Sequence, residues 1–201
     1  MRSWEALNPV ILKPAGLISA AFMEVGVRDF RAAAAYVNRI PYGRNTNPED
    51  RLAVMSEGRG TCSTKHALLR RLALEQDIEI ALVIGIYQMN ARNTPGVGDV
   101  LEKYGLKSLP EAHCYLRSGQ KRIDVTRVTG HCPSEEITDF MYEESISPDQ
   151  TGEYKATLHR RFLREWVEDI TTGAAYTLDD VWRIREECIS ALAECGKTDI
   201  V

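Results

Sequence analysis

The chain has 201 residues, of which 44% are hydrophobic and 27% charged, and its formal net charge at pH 7 is -4. A chain of this length can bury a substantial core, and no linker or repeat divides it, so we predict a single domain over residues 1–201. The acidic balance argues against a nucleic-acid partner, which normally requires a clustered excess of Lys and Arg.

The same counts bear on the cellular compartment. Residues 14–23 are the only stretch comparable to a leader sequence, but the stretch is short and lacks a clean basic start and a cleavage site. Nothing approaches the roughly 20 apolar residues of a membrane-spanning helix, so we expect no membrane partner. Five irregularly spaced cysteines in a chain of this length favour free thiols over a disulfide framework, and therefore a cytoplasmic protein.

The first half of the chain is predicted to be mainly helical. An Ala-rich helix is expected over residues 29–38, and a polar loop follows over residues 42–48. A glycine-containing turn then leads through Thr61, a capping residue, into strong helix formers that run to Leu74. Cys62 is therefore expected in the first turn of a helix.

The second half predicts a small sheet followed by helices. A buried strand is expected over residues 79–89 and a short helix over residues 97–104. The order helix, sheet, helix predicts an α+β fold rather than repeated βαβ units. The remaining predicted elements are a hairpin with strands at 112–117 and 122–126, and helices at 153–170 and 179–194.

Cys62 has the surroundings of a reactive thiol. A helix N-terminus carries partial positive charge and unpaired N–H groups, both of which favour the thiolate, and Lys65 lies one turn away. The alternative is a small apolar residue that starts a packed helix.

The hairpin supplies candidate partners for that thiol. A turn centred on residues 118–119 places His113 directly opposite Asp124, with Cβ atoms about 4.5–5.5 Å apart. The same register places Tyr115 opposite Arg122, and a slip by one residue would separate the members of each pair onto different faces. A thiol, an imidazole and an orienting carboxylate are the groups of a cysteine-dependent acyl-transfer site. The alternative is a surface His/Asp pair across a hairpin.

Three blocks of the sequence resemble a known family. The blocks GTCSTKHALL (60–69), AHCYL (112–116) and RIDVT (122–126) are similar in order and spacing to the Cys, His and Asp blocks of the transglutaminase-like superfamily. The resemblance implies a papain-like cysteine-protease fold with its core at about residues 41–126, in which a Cys-bearing helix packs on an antiparallel sheet. Additional helices would extend it on both sides.

The resemblance also implies roles and a reaction. Cys62 would be the nucleophile, His113 the general base and then acid, and Asp124 the group that orients the imidazole. The reaction would be acyl transfer on a peptide or amide through a thioester, and we favour hydrolysis by water, as in a protease or amidase. The alternatives are transfer to an amine, as in a transglutaminase, and a binding module that keeps the fold without turnover.

An oxyanion site and the cofactor requirement complete these expectations. The backbone N–H of Cys62 is one natural oxyanion donor, and Tyr42, with Tyr36 behind it, is our choice for a second. Lys65 is a further candidate for an oxyanion or substrate contact. We expect no metal and no cofactor, and the sequence leaves the oligomeric state open.

Other assignments of the same residues are weaker. His66, four residues after Cys62, could serve as a local base but has no evident carboxylate partner, so we expect a core or wall residue. A phosphate loop at residues 58–65 lacks the Gly-Lys-Ser/Thr pattern. A metal site would need ligands at spacings unlike known motifs, drawn from Cys62, His66, His113, Cys114, His131 and Cys132.

The C-terminal helices are expected to be structural. Cys188 and Cys195 are interpreted as core residues, and Trp166 and Trp182 as packing residues. The charged stretch over residues 159–168 is interpreted as a solvated face, with a clamp for a substrate carboxylate as the alternative.

Overall fold

The computed structural model describes residues 3–126, 135–169 and 176–195. Within these ranges the chain forms seven α-helices and a four-stranded antiparallel sheet, which confirms the predicted α+β class. The chain divides into two compact units: residues 1–84, 114–128 and 144–152 form the first, and residues 85–113, 129–143 and 153–201 form the second. None of the helices in the described ranges is long and apolar enough to cross a membrane.

The sheet has the strand order β3-β2-β1-β4. Two short 3-10 helices, at Ser3–Ala6 and Pro148–Thr151, accompany the main elements. The elements in chain order are α1 (Leu17–Glu24), α2 (Phe30–Arg39), α3 (Ala53–Ser56), α4 (Cys62–Glu75), β1 (Ala81–Met89), α5 (Gly98–Lys103), β2 (Leu109–Ser118), β3 (Lys121–Ile123), β4 (Tyr142–Ile146), α6 (Glu153–Asp169) and α7 (Leu178–Cys195).

Helix α4 is the centre of the first unit. Helices α1, α2 and α3 all contact it, and its Leu68, Leu69 and Leu72 are fully buried. The C-terminal residue of α4, Glu75, also fixes α1, because its carboxylate accepts hydrogen bonds from the backbone N–H groups of Ile18 (2.9 Å) and Ser19 (2.7 Å). A carboxylate at a helix N-terminus satisfies N–H groups that have no partner within the helix.

The predicted hairpin is present, but the predicted register is wrong. Strand β2 pairs with β3 so that Arg117 faces Arg122 and Leu116 faces Ile123, a shift of two residues from the prediction. The turn is centred on Gly119 and Gln120 rather than one residue earlier, because Gly119 takes the left-handed backbone conformation (φ 56°) that glycine adopts without steric cost. His113 therefore does not lie directly opposite Asp124.

Three of the α-helices and strands were not predicted individually from the sequence: α1, α3 and β4. Strand β4 has the sequence YEESI, and its residues alternate between half-buried or buried and exposed. A five-residue edge strand with three polar positions carries a weak β signal, because only one of its faces contributes to the core.

The second unit contains a buried ion pair between β2 and α7. Arg185 donates two hydrogen bonds to the Glu111 carboxylate, at 2.8 Å and 2.6 Å, and both side chains are almost completely buried. Burial by itself raises the pKa of Glu111, but the neighbouring cations, Arg185 first, outweigh it and hold that pKa below its usual value. The pair ties the last helix to the strand that carries His113.

Part of the charged stretch in α6 is not a solvated face. Arg160, Arg161 and Arg164 are exposed as predicted, but His159 is 1% exposed and its Nε2 donates to the Pro110 carbonyl at 2.8 Å. Burial lowers the pKa of His159, which keeps the ring neutral. The prediction was wrong for His159. A pattern of charged residues along a helix does not show which of them will hydrogen-bond to a backbone carbonyl of a strand, as His159 does to Pro110.

The interpretation of the C-terminal helices as packing elements holds where the structure describes them. The guanidinium groups of Arg160 and Arg185 lie 4.3 Å and 5.4 Å from the centre of the Trp182 ring, and Cys188 is fully buried. The Cys195 side chain, like His131 and Cys132, lies outside the described residues.

Candidate functional site

Cys62 is the first residue of α4, as the sequence predicts. Thr61 caps the helix: its hydroxyl accepts from the Thr64 backbone N–H, and the Thr64 hydroxyl accepts from the Thr61 N–H at 3.0 Å. This reciprocal capping box satisfies two backbone N–H groups at the start of the helix. The Cys62 thiol is therefore held in the first turn and is 8% exposed.

The next residue connects α4 to the sheet. The Ser63 hydroxyl donates to the Cys114 sulfur of β2 at 3.7 Å and lies 3.9 Å from the Cys62 sulfur. Cys114 is fully buried, so this contact belongs to the packed interior of the first unit. It fixes the first turn of α4 against β2.

Lys65 is the most unusual residue of this turn, because its side chain is fully buried. Its ammonium group donates to two backbone carbonyls, those of Ile40 and, at 2.8 Å, Thr126. Burial lowers the pKa of Lys65 to about 8, against the opposing attraction of Asp124 and Cys62, which acts to raise it. Lys65 is thus an internal charge close to both proposed catalytic groups of this unit, rather than a group facing solvent.

The loop before α3 is attached to the start of α4. Gly60 donates its N–H to the Pro41 carbonyl (3.1 Å), and its carbonyl accepts from the Gly43 N–H (3.2 Å). The half-buried Tyr42 therefore lies beside Gly60, two residues before Cys62. A Cβ atom on Gly60 would come within 2.9 Å of the Lys65 side chain. Only glycine allows this close approach, and Tyr42 remains a candidate oxyanion donor.

His66 is a core residue with both ring nitrogens occupied by the main chain. Its Nε2 accepts the Val125 N–H at 2.9 Å, so the ring proton is on Nδ1, which donates to the Cys62 carbonyl at 2.7 Å. The ring is fully buried. This arrangement supports the structural interpretation of His66 over a role as the base for Cys62.

Asp124 follows β3 directly and is held by local hydrogen bonds. Its Oδ1 accepts the Thr126 N–H at 2.8 Å, and its backbone N–H and carbonyl both bind the Ser3 hydroxyl. Its side chain is 37% exposed, and the Oδ1 atom lies 3.6 Å from His66 Nε2. The carboxylate is therefore oriented by the main chain and partly open to solvent.

His113 lies in β2, in the second unit. It is 8% exposed, and its ring packs edge-to-face on the ring of Tyr87, with 6.2 Å between centroids. The residue after it, Cys114, is the one that contacts Ser63. The sequence identified His113 as a candidate base but did not identify Tyr87 or the Ser3 and Thr126 contacts to Asp124, because these partners are distant in sequence or lie in loops without a motif.

In the first unit, burial lowers the pKa of Lys65, while the charges of Asp124 and Cys62 both act to raise it. Among the described residues, no group of three or more His, Cys, Asp or Glu side chains could hold a metal ion. No protein-family model, curated protein or solved structure matches the chain.

Proposed function

We propose that this protein is a cysteine-dependent acyl transferase that hydrolyses a peptide or amide bond, with Cys62 as nucleophile, His113 as general base and acid, and Asp124 as the orienting carboxylate. The observation that carries the proposal is the position of Cys62 at the start of α4 beside a buried lysine. The helix N-terminus and the ammonium group both favour a negatively charged sulfur. A thiolate is the form of cysteine that attacks a carbonyl carbon.

The register of the hairpin supports the pairing of His113 with Asp124. A shift of two residues leaves the alternation of faces unchanged, so a pairing that continued past Ile123 in the same register would make the two positions diagonal neighbours on a common face. Tyr115 and Arg122 have the same diagonal relation, and the Arg122 guanidinium lies 4.8 Å from the centre of the Tyr115 ring. Diagonal neighbours on this hairpin can therefore reach one another.

The chemistry proceeds in two balanced steps. The Cys62 thiolate attacks the amide carbonyl carbon, the C–N bond breaks as the C–S bond forms, and protonated His113 gives its proton to the departing amine. His113 then removes a proton from water as the water oxygen attacks the thioester carbonyl carbon, the C–S bond breaks, the carboxylic acid leaves, and the Cys62 thiolate and protonated His113 are regenerated. The Cys62 N–H, at the first position of α4, would stabilise the oxyanion of each step.

The pH dependence of Cys62 alkylation tests the proposal. The protein is treated with iodoacetamide between about pH 5 and 10, and the Cys62 peptide is quantified by mass spectrometry. We expect half-maximal reactivity well below the ordinary thiol value of about 8.5, and a shift toward that value in His113→Ala. At neutral pH, Cys62 in His113→Ala should be alkylated up to about 10-fold more slowly than Cys62 in the wild type.

Cys188 provides an internal control in the same samples. Burial raises the pKa of Cys188 to about 12, with further contributions from Glu111 and Glu187, so its peptide should remain unlabelled in the folded protein. Labelling of Cys188 would report unfolding rather than chemistry. A Cys62 profile that is centred near 8.5 and does not change in His113→Ala would contradict the proposed function.

A further inference from the structure

A buried aromatic residue that the proposed reaction does not use lies next to His113. Tyr87 of β1 is 4% exposed, and its ring meets the His113 ring at an interplanar angle of 75°. Edge-to-face contacts of this kind favour one relative orientation of the two rings. A ring that is itself fixed would therefore restrict the rotation of the imidazole.

The Tyr87 ring is fixed at its hydroxyl end by a chain of hydrogen bonds. Thr94, which is 1% exposed, donates its only hydroxyl hydrogen to Asn93 Oδ1 at 3.0 Å, so Thr94 must accept the Tyr87 O–H at 2.9 Å. The Asn93 amide in turn donates to the Gln88 carbonyl at 2.9 Å. This series of hydrogen bonds thus starts at the Tyr87 side chain and ends at the backbone carbonyl of Gln88, the next residue of β1.

A third ring packs against Tyr87. The Phe140 ring centroid lies 6.0 Å from that of Tyr87, and a Cβ atom on Gly85 would come within 2.2 Å of Phe140 Cδ1. The absence of a side chain at Gly85 is what admits Phe140 to this position. Tyr87 is therefore held by its hydroxyl and by Phe140, while its ring contacts His113.

We propose that Tyr87 is a positioning residue that holds the His113 imidazole in the orientation needed to exchange a proton with Cys62. This inference rests on the proposed role of His113. A freely rotating imidazole would spend only part of its time aligned with its partners, and alignment of base and nucleophile is a direct contribution to rate. Tyr87 would act through His113 and would not contact the substrate.

The pH profile of Cys62 alkylation in Tyr87 variants tests the inference, because a purely structural side chain would not move that profile. We expect Tyr87→Leu to shift the midpoint toward that of His113→Ala and to slow labelling at neutral pH about 2- to 10-fold. Tyr87→Phe and Thr94→Val release only the hydroxyl anchor, so both should give smaller shifts in the same direction. Tyr142→Leu is the control, since it removes the half-buried ring of another tyrosine of the second unit, one that pairs with Phe162.

The outcomes separate this inference from the proposed function. A shift in His113→Ala together with unchanged profiles in all three Tyr87 and Thr94 variants would overturn the role of Tyr87 and leave the function standing. An unchanged profile in His113→Ala would overturn both. If Tyr87→Leu labels Cys188 and is therefore unfolded, Tyr87→Phe and Thr94→Val decide: a common shift supports the inference, and unchanged profiles contradict it.

Discussion

Replacing Arg185 by Met is expected to lower the free energy of unfolding by about 3–5 kcal/mol. The substitution keeps an unbranched side chain against Trp182 but removes both donors to Glu111, whose carboxylate is almost completely buried. A buried carboxylate without its cation keeps the full cost of desolvation. Urea denaturation at neutral pH measures the effect.

Two controls identify the cause of that loss. Arg183→Met, on the same helix, removes ion pairs to Asp180 and Glu187 from a side chain that is 56% exposed, and it should cost less than about 1 kcal/mol. The double variant Glu111→Leu with Arg185→Met should recover most of the lost stability, because neither charge then remains. Equal losses in Arg185→Met and Arg183→Met would contradict this explanation.

The loss in Arg185→Met should also depend on pH. In the folded wild type the pKa of Glu111 is below its unfolded value, because Arg185 and the other nearby cations overcome the effect of burial. The stabilisation from the ionised pair is therefore complete above the unfolded value of about 4.3 and disappears as the pH falls through the folded value. The difference in the free energy of unfolding between the wild type and Arg185→Met should therefore shrink as the pH falls through this range.

Replacing Lys65 by Met is expected to cost about 2 kcal/mol or more at neutral pH. The carbonyls of Ile40 and Thr126 would each lose a donor inside the first unit, and an acceptor left without its donor costs about 1–3 kcal/mol. Lys103→Met is the control, since Lys103 is 61% exposed and pairs with Glu187, and it should change stability by less than about 1 kcal/mol.

The pH dependence gives Lys65→Met a signature that a cavity alone would not have. The pKa of Lys65 is about 8 in the folded protein, against 10.5 for an ordinary lysine, mainly because of burial. Between these values the unfolded chain binds more protons than the folded one, so the wild type gains stability as the pH rises. Relative to Lys65→Met the gain should total about 3 kcal/mol. Parallel stability curves from pH 8 to 10.5 would contradict an internal ammonium at this position.

Much of the fold was predictable where local signals are strong. The start of α4 at Cys62 follows from its capping residue and helix formers, and the buried strand β1 follows from its apolar run. The hairpin was also predictable, but its register depends on which residue takes the left-handed conformation at the turn. In the sequence SGQK, Gly119 fits either the first or the second central position of a two-residue turn, and it takes the first in the structure.

The rest of the candidate site depends on contacts between distant residues. Nothing near Glu111 in the sequence indicates Arg185, and nothing near Lys65 indicates the carbonyls of Ile40 and Thr126. Lysine and glutamate are most often exposed, so their burial here reverses the usual expectation from residue type. For Lys65 the sequence predicted the proximity to Cys62, but not that the ammonium group would be internal.

Trapping of an acyl-enzyme tests the central claim most directly. The protein is mixed with p-nitrophenyl acetate, quenched in acid and digested, and the Cys62 and Cys188 peptides are analysed by mass spectrometry while nitrophenolate release is followed in parallel. We predict one acetyl group on Cys62, none on Cys188, continued release as the thioester is hydrolysed, and loss of both signals in Cys62→Ala. Release that is equal in wild type and Cys62→Ala, with no acetyl group on the Cys62 peptide, would contradict the assignment of Cys62 as a nucleophile.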